Sequence, residues 1–370
     1  MPNAETLTTG GVTYDIRDTS KNPVIGKGVN LLDNWYFGNP DAVIDQRHGY
    51  VVPDGVTYYS DTALTTSAGT TSGYLTATYV NTTYGIITVS STTYYVAYSD
   101  MVRGYVGKGY GIDRWKLNAT ANTLIIGGDY ITLTGTLRHY FECPTLFSGK
   151  RLTMSALIKG ESAGTSTLNF KVYAQELPAY YALYNVTLSG QWQLISHSFT
   201  IGTLTNDNKN LDLMFENATN LQINAVKLEL GDTQTLAHQE NGVWVLNDPP
   251  PNYQQELAKC QRYQVVYDGT SEYTFPGNIF YGSGAVMVPC PVPLRANASV
   301  SFETTDTNYP KGFIYSSTGL YVCSTLGNTG RAEENIARIN VTCSDTSFAG
   351  AIAWGMTGNT NSKLILNANL

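Results

Sequence analysis

Residues 211–230 read LDLMFENATNLQINAVKLEL. In the first part Leu211, Leu213 and Phe215 share one face, and Asp212 and Glu216 take the other. A period of two marks a half-buried strand. Leu221, Ile223 and Ala225 keep that period; Val226, Leu228 and Leu230 continue it one residue out of phase. A slip of one within an alternating run predicts a β-bulge. The same alternation precedes this stretch. Leu152, Met154, Ala156 and Ile158 share a face in LTMSALIK, as do Leu168, Phe170, Val172 and Ala174 in LNFKVYA, with Asn169 and Lys171 opposite. Strands at this spacing, joined by Gly, Asn and Asp turns, predict a two-sheet, jelly-roll-like β-sandwich over residues 29–248.

The rest of the chain extends this all-β pattern. Residues 1–28 are polar and Gly-rich, with a short strand expected at Val12–Ile16, and read as an N-terminal attachment segment. Leu31 to Phe37 is strand-like and ends at the turn signal Asn39-Pro40. About 50–106 is dominated by Thr, Ser, Tyr and Gly and reads as a small β insertion in the first sandwich. In 249–264, Pro249, Pro250 and Pro251 open the clearest helix, with Tyr253, Leu257 and Cys260 at helical spacing. Proline at a helix start loses no needed hydrogen bond, so this piece reads as a helical connector. Residues 265–370 return to strand texture and are expected to form a second, C-terminal β-sandwich. Within it, Pro289, Pro291 and Pro293 alternate with apolar residues, which fits an edge strand or an extended connector.

Composition narrows the function. Charged residues are 14% of the 370, while Tyr occurs 27 times. Soluble domains average roughly 25% charged. Hydroxyl- and tyrosine-rich surface suits contact with polar, neutral ligands outside a cell. The net charge of -7 argues against nucleic acid, which needs a basic footprint. No polybasic membrane patch, signal peptide or apolar run of spanning length is visible, so no membrane insertion is expected and the chain reads as made in a cytoplasm.

Chemistry-bearing motifs are sparse. The five cysteines include no CxxC pair, so neither a disulfide framework nor a zinc site is suggested, and they read as small buried apolar residues. The four histidines have no ligand spacing. His197 shares a face with Ile195, Phe199 and Ile201, as a core or interface histidine would. The Gly107–Gly111 run GKGYG is followed by no helix to hold a phosphate. Asp113, Arg114 and Trp115 could form a charged pair beside a sugar-stacking ring; strand context favours a structural pair and a core Trp115. A glycosidase needs two carboxylates at a set separation, and nothing singles out a pair among 29 acidic residues. No cofactor or metal is implied, and the chain reads as a non-enzyme.

The blocks NLLDNWYFGNP (30–40) and RGYVGKGYGIDRWK (103–116), followed by AVKLELGD (225–232), ELAKCQRYQ (256–264) and VMVPCPVPLRANASVSF (286–302), occur in an order of their own. Together with GVTYDIRDT (11–19) they resemble tail-fibre and tail-spike-like proteins of phages and prophages of Gram-positive and gut bacteria. The likeness spans nearly the whole chain, although each motif is short and structural. Gln264 stands where those proteins carry a second Tyr, and Cys290 where Phe is common. The resemblance implies a carbohydrate-binding-module-like sandwich, a C-terminal receptor-binding domain, a homotrimer, a place in the virion and adsorption to a bacterial cell-surface glycan. It implies contact with other tail or baseplate proteins through the N-terminal segment. A glycan-cleaving fibre and a purely structural virion part are the alternatives. Sugar binding uses aromatic faces and planar polar groups. In YDGTSEYTFPGNIFYG (267–282), too rich in Gly, Pro and Asp for a regular strand, Tyr267, Tyr273, Phe275, Asn278 and Tyr281 are the candidates, with Tyr309 beyond. Loops on a rigid sandwich concentrate binding residues.

Overall fold

The computed structural model describes residues 6–9, 12–15, 28–161, 164–268, 273–280, 283–304, 306, 308–316, 319–333, 335–344, 350–356 and 362–368. The protein is all-β, with a short α-helix at Tyr253–Gln261. In the N-terminal segment Thr6–Thr9 pairs with Val12–Asp15; Ile16, expected in that strand, lies outside the described residues. The chain divides into two compact units, residues 1–43 with 104–252 and residues 44–103 with 253–370.

The first unit is built on the strand Leu211–Leu230. Its first half lies between Tyr130–Tyr140 and Gly164–Ala174; beyond these the sheet continues to Thr123–Gly127 and Ala179–Leu188. Its second half pairs with Arg151–Lys159, which pairs onward with Gln193–Thr200. The register jumps where Leu157 faces Ala225 and Ile158 faces Ile223, leaving Asn224 as the extra residue. This is the slip read from the alternation, and it falls in the half of the strand that pairs with Arg151–Lys159. Residues 31–37 run along the other side of the second half: Leu31 N donates to Leu228 O (2.8 Å) and Val226 N to Trp35 O (3.1 Å). Asn30 clamps the same place, donating to Val226 O and accepting from Leu228 N.

These strands bury one core. Phe215 stacks on Phe170 at 4.8 Å, and Trp115 lies against Phe215 and Phe37. Trp115 is fully buried and its Nε1 donates to Asn34 O at 2.8 Å. Arg114 pairs with Asp33 at 3.3 Å and donates to Tyr140 O. Trp115 is thus a core ring, and Arg114 ties its segment to Asp33 and Tyr140. His197 is half-buried, its ring stacked on Phe199.

In the second unit, the tyrosine-rich strands between Tyr50 and Ala97 pack around Val52, Ile87 and Val96. Residues 44–103 interrupt the first sandwich in sequence, yet their stem is tied to the terminal block. Gln46 Nε2 donates to Gln264 O (2.7 Å), Arg47 pairs with Glu303 (2.5 Å), and Lys363 Nζ donates to Arg47 O.

The terminal block contains two sheets, one of them closed. Gln264–Asp268, Lys363–Asn367 and Ser299–Glu303 form a three-stranded sheet. Tyr273–Phe280, Ser283–Pro289, Ile336–Cys343, Gly319–Glu333, Phe313–Ser316 and Gly350–Met356 follow each other, in that order, round a closed barrel. The alternating prolines behave as their chemistry requires. Beyond Val286 the strand Ser283–Pro289 is paired only with Ile336–Cys343, and no strand continues past Pro289 until Ser299.

Candidate functional site

Four adjacent barrel strands form one outward surface. Val286, Val288, Ile339 and Val341 point into the core, so Ser283, Ala285 and Met287 on one strand and Arg338, Asn340 and Thr342 on the next face outward. Ser283 lies opposite Thr342, Ala285 opposite Asn340 and Met287 opposite Arg338. On the other flank the strand Tyr273–Phe280 brings Pro276 and Gly277 beside Ala351. Together they line an open concavity of about 940 Å³.

Gly277 lies opposite Val286, on the core side of its strand, and a Cβ there would stand 2.2 Å from Ala285 O, so only glycine permits this approach of the strands. Ala285 and Ala351 contribute small side chains to the lining, and Arg338, Asn340 and Met287 contribute long or polar ones. The guanidinium offers donors, the amide and hydroxyls offer both donors and acceptors, and Met287 and Pro276 offer apolar contact. The described lining has no carboxylate, imidazole or thiol, so it can recognise a ligand by hydrogen bonding and packing. Burial pushes the Cys290 thiol, inside the block, up to about 11. No cluster of three or more potential metal ligands occurs among the described residues.

The residues expected from sequence are placed differently. The loop anticipated over 267–282 is, where described, strand: Tyr267 lies in Gln264–Asp268, and Tyr273, Phe275 and Asn278 in Tyr273–Phe280. Pro276 and Gly277, which suggested a loop, are accommodated within the ladder. Phe275 is 4% exposed and stacks on Trp354 at 5.9 Å, while Tyr267 meets it edge-on at 5.1 Å and donates its hydroxyl to Pro289 O. Both rings serve the core. Asn278 holds the register position between Ala285 and Ala351, beside the concavity. Tyr281 lies outside the described residues. Tyr309 sits in a turn, its N donating to Asp306 Oδ1 (3.2 Å) and its ring edge-on to Phe313. Sequence reasoning missed Arg338, Asn340 and Thr342. Their signal was present in IARINVTC, where they alternate with Ala337, Ile339, Val341 and Cys343.

No protein family matches this chain by sequence, and no curated protein does. Among solved structures the chain is similar to the N-terminal CBM22-1-CBM22-2 tandem domain from Paenibacillus barcinonensis Xyn10C, at 9% identity over 72% of this chain and 95% of that one, with a TM-score of 0.26. It is also similar to an archaeal virus protein with a triple jelly roll fold and turret assembly, at 10% identity over 94% of this chain and 99% of that one, with a TM-score of 0.22. Overlaps this loose say nothing about a ligand. No helix among the described residues is long and apolar enough to cross a membrane.

Proposed function

We propose that the protein is a phage tail-fibre component that adsorbs to a glycan on the host bacterial surface, without cleaving it. The observation that carries this reading is the concavity on the terminal barrel, lined by Arg338, Asn340 and Thr342 together with Ala285 and Ala351. Such a surface suits a neutral, hydroxyl-rich ligand: planar side chains meet hydroxyls, and Met287 and Pro276 meet the apolar face of a ring. The motif order that resembles tail-fibre proteins supports the same conclusion. The working form is a homotrimer held to the tail by its N-terminal segment. The exposed apolar row of Tyr315, Leu320 and Val322 supports burial between subunits. Repetition of a weak sugar site in such an assembly gives avidity well above that of one site.

The test is binding of the labelled full chain to whole bacteria and purified cell-wall glycans, with its mass in solution measured alongside. Arg338→Ala and Asn340→Ala are each expected to weaken binding roughly 3- to 10-fold, the net worth of a hydrogen bond. Ala351→Trp, which fills the concavity from an exposed position, is expected to abolish it. Undiminished binding by Ala351→Trp would overturn the assigned surface. Absence of wild-type binding across the panel would overturn adsorption, and release of reducing ends would overturn the non-catalytic reading.

A further inference from the structure

Two cysteines of the terminal barrel face each other across neighbouring strands. Cys323, in Gly319–Glu333, and Cys343, ending Ile336–Cys343, are direct register partners. They are 0% and 4% exposed and belong to one core. Ser344 N donates to Val322 O at 3.1 Å, while Cys323 N turns away and donates to Gly312 O at 3.2 Å. This pattern places Cys323 and Cys343 at a non-hydrogen-bonded position of the antiparallel ladder. There the Cα atoms are about 4.5 Å apart and side chains approach most closely. A disulfide requires a Cα separation of roughly 4.4–6.8 Å with the Cβ atoms directed at each other. The next residue, Ser324, is the extra one of a bulge, since Thr325 already faces Thr342.

We propose that Cys323 and Cys343 form a redox-closable pair that oxidation joins in a cross-strand disulfide, fastening the barrel beside its bulge. The oxidant is a small-molecule disulfide such as oxidised glutathione. One cysteine thiolate attacks it, forming a mixed disulfide and releasing one small thiol. The second thiolate attacks the cysteine sulfur of that intermediate, forming the protein S–S bond and releasing a second small thiol. Both cysteines are oxidised, the reagent is reduced to two thiols, and the two cysteine protons end on them. Burial pushes the Cys323 thiol up to about 11, and the neighbouring Cys343 adds to the shift. The folded, reduced pair is therefore slow to react, and closure proceeds during folding or local opening.

The experiment refolds the full chain from urea in a glutathione redox buffer and maps its peptides without reduction. The expected result is a linked peptide containing Cys323 and Cys343, with two hydrogens lost. The melting temperature of the linked protein is expected to rise by roughly 5–10 °C, as for closure of a loop of this length in a domain of this size. Dithiothreitol should reverse the rise, and Cys323→Ser should not show it. Glutathione adducts or Cys143-linked dimers in place of the Cys323–Cys343 peptide would overturn the proposal. So would a linked protein that melts no higher than the reduced one.

Discussion

Asp212 allows burial and ion pairing to be weighed against each other. Its side chain is 0% exposed and Oδ2 lies 2.5 Å from Arg138, whose own side chain is 19% exposed. The second carboxylate oxygen has no hydrogen-bond partner. Desolvation pushes the carboxyl up from 3.8 to about 6, with the charge and hydrogen bond of Arg138 opposing the shift. Because the folded value exceeds the unfolded one, the folded protein takes up the proton first. The resulting stabilisation is complete below about pH 4 and is lost as pH rises through about 6. The gap corresponds to about 3 kcal/mol. Asp212→Asn cannot titrate and supplies the reference. Urea unfolding of both proteins between about pH 4 and pH 8 should show the wild type losing about 3 kcal/mol relative to the variant as pH rises. A pH-independent difference would refute the shift. A difference that grows in favour of the wild type would mean that Arg138 outweighs burial.

Lys227 and Asp248 give the complementary case. Lys227 is fully buried against a carboxylate that is 41% exposed. Asp248→Ala is expected to cost about 3–5 kcal/mol by leaving an unpaired buried ammonium, whereas Lys227→Met should be neutral or stabilising by up to a few kcal/mol, both read by urea unfolding. Gly312 has φ +77°, and a Cβ there would stand 2.6 Å from Gly355 O and from the Trp354 ring. Gly312→Ala should therefore destabilise by about 2 kcal/mol or more, seen as a lower melting temperature.

The strands were legible because alternation reports burial directly. Leu152 to Ile158, Leu168 to Ala174 and the slip near Ala225 all survive in the fold, the slip as the extra residue Asn224. Partner choice was not legible, because period two says which face is buried and nothing about the neighbouring strand. Closure of the barrel and the opposition of Cys323 and Cys343 depend on pairing between segments that carry no motif. Two of the candidate site residues pack differently from the expectation for a related reason. Tyr267 and Phe275 were chosen for a loop-like composition, yet Pro276 and Gly277 lie within the barrel ladder that carries the Phe275 ring into the core, and Tyr267, in the neighbouring three-stranded sheet, packs edge-on against that ring. The outward Arg338, Asn340 and Thr342 were readable as a strand face, but only the barrel reveals that this face is concave.

The long strand Leu211–Leu230 also governs when the sandwich can form during synthesis. Tyr130–Tyr140, Arg151–Lys159 and Gly164–Ala174 all pair with it, and all leave the ribosome before it. At typical translation rates, roughly 5–20 s separate the emergence of Tyr140 from that of Leu230. Throughout that interval three apolar strands expose edges whose partner has not yet been made, the condition under which neighbouring nascent chains mispair. Slowing translation after residue 174 should therefore increase aggregation, and speeding it through residue 230 should relieve it.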